Sequence, residues 1–381
     1  MIPVLASILI LGSIGFSQNV YAPHISGLVV HYDFEDEADP TADLSGHNND
    51  GDLSDGVTIF STDVPPLPNN FHSLDLTTDT LDDYLISSSV TAFPSDKITT
   101  ALWVKSSGTQ NADPIFVSYA TNTVGTAFND WGIQNVGTTN SEFQGFVNAD
   151  NSNGVLRTTE MPNVLDGEWH HVAATWDNAN GEMKLYLDGV LVKSGTGIKT
   201  GETIASGGTL VLGQEQDSVG NSFHTNDDFN GFLDDVRIYN KVLSDEEIQD
   251  LFEGPIEVDI DIKPGSDPSS VNCKANKKGD INGVVPVAIF GTADFDVSTI
   301  DLSSLELNVV KVTEKHTTIH IKNLNDDGFD DAVLHLDKAG VCAATSDDGE
   351  YPLKESADAT LTGSNADGDF EGTGDIRIVK R

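Results

Sequence analysis

The sequence is poor in basic residues and in cysteine, and it has one long apolar run. Lysine and arginine together number 20 against 61 aspartate and glutamate residues, which gives a formal net charge of -41 over 381 residues. A surface this acidic repels phosphodiester backbones and anionic lipid, so we expect neither nucleic acid nor a membrane surface as a partner. Divalent cations are the favoured charged ligands. For most of these carboxylates, the alternative is a plain solvated surface.

The long apolar run is at the beginning of the sequence, where residues 1–16 read MIPVLASILILGSIGF. It is shorter than the roughly 20 residues that a membrane-spanning helix needs. Val20-Tyr21-Ala22 follows it and fits a small-residue cleavage rule, so we predict an export signal over residues 1–22. Cleavage elsewhere or a retained anchor is the alternative, because no basic residue precedes the run and Pro23 follows the predicted cut. No later stretch is apolar enough to cross a membrane.

Cysteine occurs twice, at Cys273 and Cys342. In an exported protein an even pair predicts one disulfide bond. Closing a loop of about 70 residues would stabilise that part of the chain by roughly 4 kcal/mol in the chain-entropy description. Two buried free thiols are the alternative.

Short alternating apolar runs separated by turn signals predict an all-β sandwich. Strands are predicted at residues 28–34, 99–105, 115–119, 131–136, 143–148, 155–159, 168–176, 209–212 and 232–239. Asp188-Gly189 between two alternating runs predicts a two-residue hairpin turn. Ser244 with Glu247 forms a capping box that opens a short helix, which ends at Gly254.

A second, smaller β domain is predicted from residue 256 to residue 381, with a junction of one or two residues after a first domain over residues 23–254. Its strands are predicted at residues 257–265, 284–290, 305–310, 317–321, 332–336 and 376–380. No long helix is expected there.

Three segments resemble the pentraxin and laminin-G-like group of concanavalin A-like lectin jelly rolls. They are HHVAATW at residues 170–176, LGQEQDS at residues 212–218 and NGFLDDVRIYNKVLSDEEI at residues 230–248. The similarity runs from about residue 27 to residue 253. The resemblance implies a jelly-roll sandwich for the first domain.

The resemblance also implies a calcium site. In pentraxins a Glu, the backbone carbonyl of the following Gln and the next Asp bind two calcium ions, and those positions match Glu215, Gln216 and Asp217. An adjacent Asp-Asn pair from an earlier loop completes the first site, and its nearest match here is Asn129-Asp130, in reversed order. Calcium takes about 6 to 8 oxygen ligands, of which this set can supply about five. A loop of solvated carboxylates is the alternative.

Two features of the pentraxin pattern are incomplete in this sequence. The further Glu and Gln that bind the second calcium ion in pentraxins fall on His224 and Asp227, so the pentraxin ligand set for a second ion is incomplete. The positions of a pentraxin cysteine pair fall on Ala101 and Ala173. Both cysteines are absent together, so no lone thiol is left.

A second acidic cluster, NLNDDGFDD at residues 323–331, has the spacing of a short calcium loop. The candidate ligands are Asn323, Asn325, Asp327 and Asp331, with Gly328 where the sharp turn needs it. The bidentate Glu of an EF-hand is missing at position 12, and a plain Asp-Gly turn is the alternative. With VDIDIKPG and NGVVPVAIFGTADFDV, this segment makes residues 256–381 similar to a small β module recurrent in exported prokaryotic proteins.

Other candidate groups are weaker. His316 and His320 fall on one face if the chain is extended through both, but four residues of straight strand separate them by roughly 13 Å, too far to share an ion, so they are interpreted as surface histidines. Trp131, beside Asn129-Asp130, is the best of the four tryptophans for stacking on a sugar ring. Buried positions are expected for the others.

The favoured function is an exported, calcium-dependent binding protein, lectin-like or adhesive, secreted or at the cell surface, with a glycan or another oxygen-rich ligand. A structural matrix or surface-layer protein, in which calcium only stabilises the domains, is the first alternative. A polysaccharide-active enzyme is the second. No carboxylate pair on one strand face fits a retaining glycosidase, because Glu35, Asp36 and Glu37 are adjacent at a strand end. A lyase acting on uronates needs cations, and the chain has four arginines. We therefore predict no enzymatic activity.

Overall fold

The structure is a computed structural model that describes most of residues 25–379. The described ranges are 25–36, 38–54, 61–68, 70–77, 83–108, 110, 113–121, 130–137, 142–150, 153–159, 163–216, 218–221, 223, 227–308, 310–316, 319–345, 356–366 and 368–379. The predicted export signal, Asn129, Asp217 and His224 lie outside the described residues. Within these ranges, none of the helices has the length and apolar character of a membrane span.

Alternating apolar residues between residues 28 and 239 form two sheets in the described part of the chain. The strands are β1 (Leu28–Tyr32), β2 (Asp52–Leu53), β3 (Leu74–Asp75), β4 (Leu85–Ser87), β5 (Lys97–Ser106), β6 (Ile115–Ala120), β7 (Trp131–Val136), β8 (Glu142–Asp150), β9 (Asn153–Thr158), β10 (His170–Asp177), β11 (Glu182–Leu187), β12 (Val190–Gly195), β13 (Thr209–Leu212) and β14 (Gly231–Tyr239). The first sheet has the order β1-β14-β5-β10-β11-β12, with β3 beside β14, and the second has the order β2-β4-β13-β6-β7-β8-β9.

The two sheets pack face to face as a sandwich. Leu102 and Val172 of the first sheet and Phe116 and Leu210 of the second belong to one buried apolar cluster. In β5 and β10 the core residues alternate with residues on the opposite face, as the pleat requires, whereas register shifts in β1 and β6 place two adjacent residues in the core. The predicted all-β sandwich is therefore confirmed.

Local signals in the sequence produce the predicted turn and helix. Asp188 and Gly189, with φ of 49° and 75°, connect β11 to β12. Helix α1 (Asp245–Glu253) begins at the Ser244 cap, whose side chain accepts from the backbone N–H of Glu247. Its buried residue Ile248 packs against the outer face of the first sheet.

The same outer face contains the alanine pair that takes the place of the pentraxin cysteines. Ala101 of β5 and Ala173 of β10 are direct cross-strand partners. They belong to the buried cluster that α1 covers. Apolar packing of the helix therefore occupies this position.

Residues 256–379 form two further sheets around a second buried cluster in the described residues. The strands are β15 (Ile256–Glu257), β16 (Ile260–Ile262), β17 (Ser270–Asn272), β18 (Val284–Ile289), β19 (Glu306–Leu307), β20 (Val310–Lys311), β21 (His320–Lys322), β22 (Asp331–Asp337), β23 (Ser356–Ser364) and β24 (Asp369–Val379). The described residues here also form a 3-10 helix (Val297–Thr299) and the α-helix α2 (Lys338–Ala344). The sheet orders are β15-β24-β23-β19-β20, with β17 beside β24, and β16-β18-β22-β21.

Several predictions in this second part need correction. The strand predicted at residues 257–265 is divided into β15 and β16, which join different sheets. The strand predicted at residues 305–310 is the tight antiparallel pair β19 and β20, where Asn308 has a φ of 47°. Neither β23 nor the short helix α2 was predicted. The disulfide between Cys273 and Cys342 is confirmed, with an S–S distance of 1.98 Å and a Cα–Cα distance of 5.8 Å.

Candidate metal centre

The predicted calcium loop lies on the outer face of the second sheet. Val211 of β13 pairs with Ser118 of β6, and both lie on the outer face because Leu210 and Leu212 point into the core. The Ser118 hydroxyl is buried and donates to the backbone carbonyl of Gln214 at 2.7 Å. This hydrogen bond draws the chain that follows β13 back across the sheet.

Gln216 is fixed in this loop by its side chain. Its amide Nε2 donates to the backbone carbonyls of Ser118 and Thr209, each at 3.1 Å, and its Oε1 accepts from the backbone N–H of Gly220 at 2.8 Å. The side chain is fully buried. None of the described residues donates a hydrogen bond to the backbone carbonyl of Gln216. The pentraxin resemblance gives that carbonyl the role of a calcium ligand.

The acidic residues near Gln216 are held by the same part of the sheet. Glu215 is half-buried between Gln214 and Gln216. The backbone carbonyl of Asp227 accepts from the N–H of Ile115, at the start of β6, at 3.0 Å. Asp228 is buried, and its carboxylate accepts from the Gln214 side chain at 2.8 Å. Of the ligands predicted in this loop, the structure brings Glu215, Gln216 and Asp227 to one region.

Asp130 lies on the same outer face, immediately before β7. Its neighbour Trp131 points into the core, so alternation places Asp130 on the side of Ser118. Since β6 separates β7 from β13, the two backbones are about 10 Å apart. The Oδ2 atom of Asp130 accepts from the backbone N–H of Thr121 at 2.5 Å.

The electrostatics at Asp130 favour a nearby cation. Burial raises the pKa of the Asp130 carboxyl above its ordinary value, and the hydrogen bond from Thr121 opposes this effect only in part. A positive charge beside the carboxylate would offset the cost of burying its ionised form. Together, Asp130, Glu215 and the Gln216 carbonyl are a set of hard oxygen donors, the chemistry that calcium prefers.

The second predicted calcium loop is a well-bonded turn. Its candidate ligands lie in the segment that leads into β22 and at the first residue of that strand: Asn323, Asn325, Asp327 and Asp331. Asp331 is fully buried, and its two oxygens accept from the backbone N–H groups of Gly291 at 3.1 Å and Leu324 at 2.6 Å. The Asn325 amide donates to Asp327 at 2.8 Å. These contacts stabilise the turn without an ion, and calcium binding at this loop stays a prediction.

The proposed sugar-stacking role of Trp131 is wrong. Its ring is fully buried, and its Nε1 donates to the Thr100 hydroxyl at 2.9 Å inside the core. Position in the strand alternation decides this, because Trp131 begins β7 on the inward face. Trp103 and Trp176 are buried as expected, whereas Trp169 is half-buried and donates to Asp63 at 2.9 Å.

The predicted separation of about 13 Å between His316 and His320 is also wrong, although both side chains are exposed, as expected. The Nδ1 atom of His316 and the Nε2 atom of His320 lie 3.0 Å apart. Strand β21 begins at His320, and the chain bends at Lys315 and His316, so His316 does not share a straight strand with His320. Sequence spacing could not show that His335, on β22, completes a three-histidine cluster.

The acidic pair in the LDDVRIY segment serves the fold. Asp235 accepts from the Arg237 guanidinium at 2.7 Å and contacts the His31 ring at 2.9 Å, and all three side chains are buried. Burial would raise the pKa of the Asp235 carboxyl, but Arg237 and His31 hold it below its ordinary value. Asp234 is buried too, and burial raises its pKa well above the ordinary value although Asn70 donates to it at 3.0 Å.

Comparison with known proteins agrees with the sandwich. Residues 78–249 match the family described as the concanavalin A-like lectin/glucanases superfamily. Over 99 residues the chain is 42% identical to the sushi, von Willebrand factor type A, EGF and pentraxin domain-containing protein 1 of Rattus norvegicus, which covers 26% of this chain and 3% of the rat protein.

Two proteins from Limulus polyphemus are also similar. The chain is 42% identical to C-reactive protein 1.1 over 94 residues, which covers 24% of this chain and 39% of that protein. A native heptameric SAP-like pentraxin structure aligns with 46% of this chain and 84% of its own, at a TM-score of 0.36 and 21% identity. The chain thus spans well under half the length of the curated relatives named here.

Proposed function

We propose that the larger domain of this chain, which is a laminin-G-like and pentraxin-like jelly roll, is a calcium-dependent binding module. Glu215, the backbone carbonyl of Gln216, Asp217, Asn129 and Asp130 would hold the ion. Calcium would neutralise these acidic groups, order the loop and offer open coordination positions to oxygen atoms of a ligand.

The observation that carries the proposal is the way in which Gln216 is held. Its side chain is fully committed to Ser118, Thr209 and Gly220, while its backbone carbonyl has no donor among the described residues. Leaving a carbonyl without a partner costs free energy unless another group or water takes it. A calcium ion between this carbonyl and Glu215 would satisfy it.

The ligand class follows from the same chemistry. An ion bound by about five protein oxygens has one to three positions left, which suit hydroxyl, carboxylate or phosphate oxygens. A glycan is the ligand that we favour, with binding outside the cell or at its surface. The export signal predicted at residues 1–22 and the disulfide between Cys273 and Cys342 support that location.

Calorimetric titration of the calcium-free full chain tests the metal site. Glu215→Gln keeps the size of the side chain but removes its charge, and Ser118→Ala removes the hydroxyl that holds the loop. We expect both variants to bind calcium at least about 10-fold more weakly than the unaltered chain, in line with the cost of losing groups that orient metal ligands.

Glu182→Gln is the matched control for this titration. Glu182 lies on β11 in the first sheet, and its side chain is on the outer face of that sheet because Met183 points into the core. The control should bind calcium as the unaltered chain does. Equal calcium affinity and stoichiometry in Glu215→Gln and in the unaltered chain would refute the site.

Ligand binding needs a second experiment. A glycan array is probed with the full chain in calcium and again in chelator, with Glu215→Gln beside it. Calcium-dependent signals that Glu215→Gln loses would support the lectin role. Calcium binding in the titration without any calcium-dependent signal on the array would favour the purely structural role for the ion.

A further inference from the structure

Three histidines on one edge of the fourth sheet form a cluster that lies apart from the jelly roll. One ring nitrogen from each of His316, His320 and His335 lies within 4.8 Å of the other two. The Nδ1 of His316 and the Nε2 of His320 are 3.0 Å apart. The ring centroids of His316 and His335 are separated by 4.3 Å.

The backbone explains how distant positions in the sequence come together. His335 lies on the outer face of β22, between the inward-facing Leu334 and Leu336. Two segments reach the same edge of β22: Lys315 donates to the carbonyl of His335 at 3.0 Å, and His320 pairs with Val333. Lys315 and His320 are five positions apart in the sequence, whereas the residues they contact on β22, His335 and Val333, are two positions apart. The two histidines are therefore drawn together beside His335.

Glu314 braces this arrangement. One oxygen of its carboxylate accepts from the backbone N–H of His316 at 2.6 Å, and the other accepts from the backbone N–H of His335. A single side chain therefore fixes the backbone of two of the three histidines. Because both of its oxygens are bonded to backbone N–H groups, Glu314 is a positioning residue.

The rings of three other described histidines, unlike those of the clustered ones, have a carboxylate partner. His31, His72 and His170 each lie within 3.4 Å of a carboxylate oxygen. Among the described residues, the clustered rings face one another instead, and the buried Nδ1 atom of His335 has no hydrogen-bond partner. Neutral imidazole is the form that binds a metal.

We infer that His316, His320 and His335 form a binding site for a divalent transition metal ion of the zinc class. Three imidazole nitrogens with a fourth position left to water is a common zinc ligand set, and Zn–N distances of about 2.0 to 2.1 Å place two ligand nitrogens about 3.3 Å apart. The 3.0 Å distance between the nitrogens of His316 and His320 is close to that separation. Rotation of the side chains would shorten the remaining nitrogen–nitrogen distances, which are within 4.8 Å. On binding, the ion takes the position of the proton that His316 and His320 share. That proton goes to solvent, and the ring that donated it takes up a proton on its other nitrogen, so both imidazoles stay neutral. Imidazole suits zinc, copper and nickel, whereas calcium prefers oxygen.

The test is zinc titration of the full chain against a chromophoric chelator, in excess calcium so that carboxylate sites are occupied. We expect one zinc ion per chain. The exposed His320 is replaced first, because His320→Gln leaves the core intact, and His335→Gln is the second variant. Each should weaken zinc binding at least about 10-fold, and Glu314→Gln should weaken it by a comparable factor through loss of positioning.

The control is His47→Gln, since His47 is an exposed histidine on the jelly roll. It should bind zinc as the unaltered chain does. Cobalt gives a second readout: we expect visible absorption of a nitrogen-bound cobalt ion in the unaltered chain and in His47→Gln, but not in His320→Gln. Far-ultraviolet circular dichroism without metal checks that each variant folds.

Equal zinc affinity in the unaltered chain, His320→Gln and His335→Gln would overturn the inference. So would cobalt binding without the absorption of nitrogen ligands. Neither result bears on the calcium site, because Glu215 and Gln216 belong to the jelly roll, whereas the three histidines belong to residues 256–379. The two proposals therefore fail separately.

Discussion

Glu371 shows how one buried carboxylate makes stability depend on pH. It lies on β24 opposite Glu257 of β15, and its side chain is 3% exposed. Burial, and then the negative charge of Glu257, raise the pKa of Glu371 from 4.5 to about 7. In the unfolded chain this carboxyl loses its proton near its ordinary pKa, whereas in the folded chain it holds the proton to higher pH. The contribution of the raised Glu371 pKa to the free energy of unfolding is therefore fully present below about pH 4.5, and it is lost as the pH rises towards 7.

We predict that Glu371→Gln stabilises residues 256–379 at pH 8. The expected gain in the free energy of unfolding is on the order of 3 kcal/mol relative to the unaltered chain, and it should disappear near pH 4.5. Calorimetric melting of the full chain at both pH values measures it. Glu306→Gln, on β19 of the same sheet, is the control and should show no such pH-dependent gain. An equal melting temperature for Glu371→Gln and the unaltered chain at pH 8 would contradict the claim that ionised Glu371 destabilises the folded chain.

At the scale of single residues, local chemistry decides what the sequence can predict. Glu215 and Gln216 can be identified from the sequence because they are adjacent in one short motif, LGQEQDS, and therefore lie together in the structure. The three histidines do not stand out, because His335 reaches the others only through the pairing of β21 and β22. The sugar-stacking prediction for Trp131 fails for a similar reason. Trp131 and Asp130 are adjacent in sequence, so their side chains point to opposite faces of the sheet.

Strands and helices were predictable where one signal dominates. Strong alternation gives β7 at the predicted bounds, and the Asp188-Gly189 turn and the Ser244 cap fix the hairpin and α1. Strand β23 carries the sequence SADATLTGS, which is too poor in large apolar residues to signal a strand. It forms because it pairs with β24 along its whole length. Helix α2 is too short to show a helical repeat, and its Asp337 cap also serves the preceding strand.

The disulfide joins two of these short elements. Cys273 follows β17, and Cys342 lies in α2, 69 residues later. Both side chains are buried in the second core. A short helix and a three-residue strand bury little surface on their own. The disulfide stabilises them by restricting the conformations of the unfolded chain.

We predict that the double variant Cys273→Ala, Cys342→Ala loses about 4 kcal/mol of stability in residues 256–379, from closure of a loop of this length. Calorimetry of the full chain measures the loss, and reduction of the unaltered protein should reproduce it. All four tryptophans lie before residue 177, so tryptophan fluorescence follows the jelly roll and serves as the internal control. A calorimetric profile unchanged by the substitutions would refute the prediction.

At the scale of the whole molecule, the net charge of -41 acts on both sandwiches at once. Repulsion among so many carboxylates opposes compaction, and any added salt reduces it by screening. A rise in melting temperature on adding calcium is therefore ambiguous by itself. Screening depends on ionic strength, whereas a built site depends on the identity of the ion, so the two contributions can be separated.

We predict that calcium stabilises the full chain more than magnesium at the same ionic strength. A ligand that binds only the folded state contributes about 2.7 kcal/mol at a concentration 100 times its Kd. Magnesium requires shorter distances and near-octahedral geometry, and it keeps several of its water ligands. A site built from the Gln216 carbonyl and carboxylates of separate segments should therefore favour calcium. Melting of the calcium-free protein in each ion measures the difference, and Glu215→Gln should abolish it while retaining the response to screening. If calcium and magnesium raise the melting temperature equally, the acidic surface alone accounts for the effect and the jelly roll holds no calcium site of the kind proposed.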